Sequence, residues 1–194
     1  MSFPSLESCT VAVIGLGYVG LPLALEIANK KECNRTGKSL NRSVIGFDIN
    51  IERIEELRNG IDRTNETSKE EILMASNFEL TNNESLLSEA DVFLITVPTP
   101  IDKANQPFLY PLINASSTVA KAIKSRTKKE KPFIIYESTV YPCATQEVCV
   151  PILERDSNLV FNSDFYCGYS PERINPGDSS NRLTNIKKVT SGST

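Results

Sequence analysis

The 194-residue chain contains no histidine, which removes the commonest metal ligand and the commonest general base near neutral pH. Proton transfer, if there is any, falls to carboxylates, lysine, tyrosine, thiols or water. Five cysteines, Cys9, Cys33, Cys143, Cys149 and Cys167, form no C-x-x-C pair. An odd and scattered set suits reduced thiols better than a disulfide framework or a zinc site, so no metal is expected. Equally absent is any apolar run near the roughly 18 residues of a membrane span. The opening MSFPSLES lacks the basic-then-apolar order of a secretory signal, so the chain reads as cytoplasmic, without a membrane partner. A net charge of -3 with no long basic run leaves little attraction for nucleic acid.

What is present fits one domain spanning 1–194: 40% of residues are hydrophobic and 23% charged, enough to bury a sizeable core. Short β-rich apolar runs at 10–14, 43–47, 78–81, 92–97, 133–136, 165–169 and 188–191 alternate with helical patterns at 20–29, 51–59, 69–75, 83–88, 112–125 and 145–155. Leu112, Ala115, Val119, Ala122 and Ile123 recur at helical spacing and should face a core. This alternation predicts an α/β fold, a doubly wound, mostly parallel, Rossmann-like sheet with helices on both faces. Loops carry the turn residues. The stretch 34–41 is polar around Gly37, and 98–111 holds four prolines, too many for a helix or a central strand.

The stretch VAVIGLGYVGLPLALEIANK puts Gly15, Gly17 and Gly20 in G-x-G-x-x-G spacing, directly after a predicted strand and at the mouth of a predicted helix. In that setting the first glycine allows a tight turn, the second lets backbone approach a pyrophosphate, and the third lets helix and strand pack closely. The free amides and positive end of the helix dipole then face the phosphates. A lone fingerprint is weak, and an ordinary strand-to-helix turn is its bland alternative. A second test is an acidic residue closing the next strand to take the ribose hydroxyls. Asp48 in VIGFDIN supplies one, the polar insertion at 34–41 accounting for the longer spacing. A carboxylate there repels a 2′-phosphate, which favours NAD over NADP; FAD shares the fingerprint and remains the rival.

Five blocks in order carry a further resemblance: VAVIGLGYVGLPLA; GFDIN followed by RIEELRNGIDRTNE; ADVFLITVPTPID; IYESTVYP with EVCVPILE; and GYSPERINPGD running into IKKVTSGST. Together they resemble the N-terminal NAD-binding domain of the UDP-glucose/GDP-mannose dehydrogenase family. PERINPGD is similar to the bacterial branch acting on UDP-N-acetylhexosamines, which makes uronic acids for capsule and O-antigen polysaccharide. The galacto, gluco and manno substrates are not separated by it. The resemblance implies oxidation of a sugar C6 alcohol to a carboxylate with two NAD, by way of an aldehyde, a thiohemiacetal on a cysteine, and a thioester that water releases. The family's nucleophilic cysteine, with its lysine and asparagine partners, its middle helix and its UDP-sugar domain fall outside this segment, so the isolated chain should bind NAD yet turn nothing over. Family members are usually homodimers. A stand-alone nucleotide-binding or regulatory module is the alternative.

The candidate cofactor contacts are Gly15, Gly17, Tyr18, Val19, Gly20, Asp48 and Arg53, followed by Val97, Pro98 and Thr99 after the fourth strand and Ser138 and Thr139 after the fifth. All belong at the carboxyl edge of the sheet, where open α/β folds bind ligands. By resemblance Thr139 also holds a catalytic water or the nicotinamide-side geometry. Capping of the turn before the helix from Thr145 is the other reading for Ser138 and Thr139. Glu172 is by resemblance the glutamate serving the hydrolytic half of the reaction, a role that suits a carboxylate at a dry cleft edge; pairing with Arg173 or capping a turn is the alternative. Arg173 itself fits a substrate phosphate, a subunit contact or a surface charge equally well. Three positions depart from the family pattern: Cys143 stands where glycine is usual, Phe108 where an acid is usual, and Asn181 where histidine is usual. Cys143, Cys149 and Cys167 read as small buried thiols.

Overall fold

The computed structural model describes residues 2–101, 105–172 and 188–193. Seven strands form one sheet in the order β3-β2-β1-β4-β5-β6-β7. They are β1 (Thr10–Ile14), β2 (Ser43–Phe47), β3 (Phe78–Thr81), β4 (Val92–Ile95), β5 (Phe133–Tyr136), β6 (Tyr166–Tyr169) and β7 (Ser191–Gly192). All pairings are parallel except β6 with β7, where Gly168 faces Gly192 and Tyr169 faces Ser191. The helices are α1 (Gly20–Asn29), α2 (Ile51–Arg58), α3 (Lys69–Met74), α4 (Tyr110–Lys124) and α5 (Val150–Ser157). The doubly wound reading of the sequence thus holds.

Near-continuous apolar strands imply burial on both faces, and β1 shows how the two faces divide. Ala12 and Ile14 join Phe47, Phe93, Ile95 and Ile134 in a core roofed by Leu112, Val119 and Leu153 of α4 and α5. Val11 and Val13 face the opposite way, into a second core with Leu21, Leu25, Ile54, Leu57 and Ile72 of α1, α2 and α3. Helix starts follow local chemistry. Asn50 accepts the Arg53 amide at the head of α2, and Ser68 with Glu71 forms a capping box at the head of α3. The amino edge of the sheet is pinned by Asp91, which accepts the Thr10 amide (2.9 Å) and pairs with Arg126 (2.8 Å).

Four elements differ from the sequence expectation. β4 stops at Ile95 rather than at 97, because the Thr96 side chain turns onto carbonyls of β1 and Pro98 has no amide to continue a ladder. Residues 84–89 form a 3₁₀ helix, started by the Asn83 side chain accepting from Ser85, instead of an α-helix. The predicted helix over 145–155 splits into a π-turn (Thr145–Cys149) and α5, with Pro151 in the first turn of α5 where its missing amide costs nothing. The last strand is short and lies at Ser191–Gly192 rather than at 188–191.

Candidate functional site

The carboxyl ends of β1, β2, β4 and β5 open onto a cleft of about 590 Å³. Its first wall is the turn from β1 into α1. Gly15 adopts φ +95°, a left-handed conformation open to glycine. A Cβ on Gly20 would lie 1.9 Å from the Gly15 carbonyl oxygen and 2.4 Å from Thr96 Oγ1, so only glycine lets the helix start that close to the strand. At Gly17 a Cβ would meet nothing within 4 Å, because the position faces the cleft. The Thr96 hydroxyl, 2.7 Å from the Gly15 carbonyl and 3.0 Å from that of Ile14, fixes the turn from β4.

Asp48 follows β2 and lines the same cleft. Its Oδ2 accepts the Leu16 amide at 2.8 Å and its Oδ1 the Asn50 amide at 2.9 Å, tying the glycine turn to the head of α2. Each carboxylate oxygen keeps further acceptor capacity. Tyr18 and Val19 also line the cleft.

Arg53 sits elsewhere. It is 5% exposed and does not line the cleft; its Nε donates to the Leu16 carbonyl (2.9 Å) and its guanidinium pairs with Asp62 (2.7 Å). It braces the glycine turn from behind. The Asp62 carboxylate accepts the amides of Thr64, Glu66 and Thr67 and the hydroxyls of Thr64 and Thr67. Burial alone would raise its pKa, but the bonds from Arg53 and Thr64 bring it down to about 2. This wrap carries Thr64 to the cleft wall.

The second wall comes from the ends of β4, β5 and β6. Val97, Pro98, Thr99, Ser138, Thr139 and Glu172 all line the cleft. Two hydroxyls stitch the turns together: Ser138 donates to the Val97 carbonyl and Thr99 to the Thr139 carbonyl, both at 2.6 Å. Capping of the helix from Thr145 is therefore not what Ser138 does, and Ala144 holds that N-cap without a side-chain bond. Buried Glu137 reaches the cleft and pairs with Lys188. Arg173 and Asn181 lie outside the described residues.

Several lining residues escaped the sequence reading: Thr96, Thr64, and Tyr110, Asn114 and Thr118 of α4. The one sequence signal for α4 was its apolar stripe, which marks the face toward the core and not the residues beside it. Cys149 and Cys167 are buried, and burial pushes both thiols up. Cys143 is a correction: it is exposed, at φ +71° in the turn after β5, a backbone conformation that explains a preference for glycine there. Phe108 is partly exposed and packs beside Tyr110, ring centroids 6.1 Å apart. Among the described residues, no group of three or more Cys, Asp or Glu is arranged to hold a metal ion, and no helix is long and apolar enough to cross a membrane.

The features needed for a dinucleotide converge in this cleft. The space in front of Gly17 is open, the turn abuts the head of a ten-residue helix with no acid in its first turn, and a carboxylate closes the neighbouring strand. Comparison with known proteins agrees. Residues 9–194 match the family model described as "UDP-glucose/GDP-mannose dehydrogenase family, NAD binding domain". The chain is 52% identical over 189 residues to a UDP-N-acetyl-D-glucosamine 6-dehydrogenase of Pseudomonas aeruginosa, covering 97% of this chain and 41% of the relative. It is likewise 52% identical over 184 residues to Protein CapL of Staphylococcus aureus, covering 95% of this chain and 39% of that protein. Among solved structures, an NDP-N-acetyl-D-galactosaminuronic acid dehydrogenase from Methanosarcina mazei Go1 superposes with a TM-score of 0.78 at 27% identity, over 95% of this chain and 38% of that one. The chain thus spans about two-fifths of the length of the curated relatives it matches.

Proposed function

The chain belongs to the UDP-glucose/GDP-mannose dehydrogenase family, whose NAD-binding domain it carries, and we propose that it is the cofactor half of a cytoplasmic UDP-N-acetylhexosamine 6-dehydrogenase, all of 1–194 being one such domain. The observation that carries this reading is the single cleft bounded by the glycine turn and Asp48 on one wall and by Ser138, Thr139 and Glu172 on the other. NAD, held by the glycine turn and Asp48, would supply the hydride acceptor for the sugar carbon.

In this arrangement Gly17, Tyr18 and Val19, which line the cleft, present main-chain amides to the pyrophosphate, while Gly15, whose amide is held by the Phe47 carbonyl at 2.8 Å, and Gly20 shape the turn that brings them there. Gly17 leaves the clearance that approach needs. Asp48 takes the ribose diol next to the pyrophosphate, its Leu16 bond holding the two subsites in register. Arg53 acts through the Leu16 carbonyl, so its contribution to cofactor binding is one of positioning. Val97, Pro98 and Thr99 flank the second ribose and the nicotinamide. The Ser138 and Thr99 bonds spend their hydroxyl protons on carbonyls, leaving exposed Thr139 as the hydroxyl on that wall to orient a water. Glu172 is then the carboxylate to take that water's proton in the hydrolytic half of the reaction.

The substrate is proposed as a UDP-N-acetylhexosamine, and the 52% likeness to a glucosamine enzyme makes the gluco sugar the first to test. Titration of NAD, NADP and FAD into the purified chain tests the cofactor assignment: NAD should bind most tightly. Steady NADH production by the 194-residue chain with a UDP-N-acetylhexosamine would contradict a purely cofactor-binding role. In an enzyme that adds the rest of the family's length, Glu172→Gln should block acid release while leaving NAD affinity unchanged.

A further inference from the structure

Thr64 lines the cleft with an unusual restriction on its hydroxyl. Its Oγ1 lies 2.8 Å and 2.9 Å from the two oxygens of the Asp62 carboxylate. An ionised carboxylate carries no proton, so the hydroxyl proton must be the one that Thr64 gives. The Asp62 side chain is only 1% exposed and is held ionised by Arg53. Thr64 therefore shows the cleft only lone pairs, as an obligate acceptor. Asp48 shows the same wall the same character, and the two are mechanically linked. Asp48 holds the Leu16 amide, Arg53 holds the Leu16 carbonyl, and the other end of Arg53 holds Asp62. The Asp48 charge also reaches Arg63, next to Thr64 in the chain.

Given the placement of NAD in this cleft, on which the inference rests, we infer that Thr64 is a second specificity-determining residue, accepting a hydrogen bond from an adenosine-ribose hydroxyl beside Asp48. Two acceptors lining the same cleft suit a vicinal diol, each of whose hydroxyls can donate. They repel a 2′-phosphate, which at neutral pH brings only acceptor oxygens and negative charge. NAD preference is thus set by a pair of residues, one from the end of β2 and one from the wrap around Asp62.

The test is calorimetric titration of NAD and NADP into the whole chain and its variants, with circular dichroism confirming that each is folded. Thr64→Val and Thr64→Ala both remove the oxygen, the second guarding against a misfit of valine in the turn. Each should weaken NAD about fivefold, the worth of one neutral hydrogen bond. NADP should lose less, so the ratio between them narrows. Thr64→Ser keeps the oxygen and should stay within about twofold of the unaltered chain. If both oxygen-free variants bind NAD as the unaltered chain does while Asp48→Ala weakens it, the Thr64 inference falls and the cofactor site stands. If Asp48→Ala also leaves NAD affinity unchanged, the placement of NAD is wrong and the role of Thr64 goes with it.

Discussion

The two walls of the cleft are built on different principles. The glycine wall is mostly main chain: bare backbone at Gly17, a left-handed turn at Gly15, helix-end amides, and one carboxylate, Asp48, bonded to that backbone. The opposite wall is mostly side chain, with Ser138 and Thr99 crossing between the ends of β4 and β5 and Glu137 paired to Lys188 from 51 residues away. Main-chain recognition suits a pyrophosphate, which offers the same oxygens in every dinucleotide. Reaction chemistry needs particular functional groups, and those arrive from several strand ends. Cofactor binding should therefore suffer more from damage to the first wall than from damage to the second.

The sharpest break in that contrast separates Gly17 from Gly20, three residues apart in sequence. Gly20→Ala drives a Cβ into the Gly15 carbonyl and Thr96 and should cost about 3 kcal/mol of stability by overpacking, measured by denaturant unfolding. Gly17→Ala meets no atom within 4 Å, so it should leave unfolding unchanged while lowering NAD affinity. Equal stability losses at both positions would mean that the turn is shaped by packing and not for a ligand. Next in size, Asp48→Ala should weaken NAD binding by roughly 1.5 to 3 kcal/mol, the range for hydrogen bonds to a charged group. In the turn after β5, outside the cleft, Cys143→Gly should stabilise the fold by about 1 kcal/mol by relieving a side chain at φ +71°, with NAD affinity unchanged.

A further effect is a matter of pH. Asp62 has a folded-state pKa of about 2, below the usual 3.8 for an aspartate. A depressed pKa means that its stabilising contribution is complete above about pH 4 and is lost as pH falls toward 2. Asp62→Asn should flatten that part of the pH–stability curve. An unaltered slope would show that the wrap around Asp62 does not depend on its charge.

How much was legible from sequence follows the same division. The alternation of apolar runs was enough for the sheet and its helices, since strands buried on both faces and amphipathic helices are local signals. Gly15, Gly17, Gly20 and Asp48 were legible because fingerprint and strand end lie within one crossover. Thr96 was not, because its contact with Gly15 spans 81 residues. Arg53 was placed at the cofactor, yet its partner Asp62, nine residues on, draws it behind the turn; a buried ion pair leaves no periodic trace. Thr64 was hidden for the same reason, since only the wrap around Asp62 turns it toward the cleft. Cys143 was read as buried because cysteine usually is, whereas the turn geometry that exposes it is a backbone property.

The most direct test is a crystal structure of the chain with NAD bound. The expected result is a pyrophosphate against the amides at residues 17–19, a ribose diol on Asp48, and the nicotinamide near Val97 and Ser138. NAD bound with its pyrophosphate away from the glycine turn, or with Asp48 facing no hydroxyl, would contradict it.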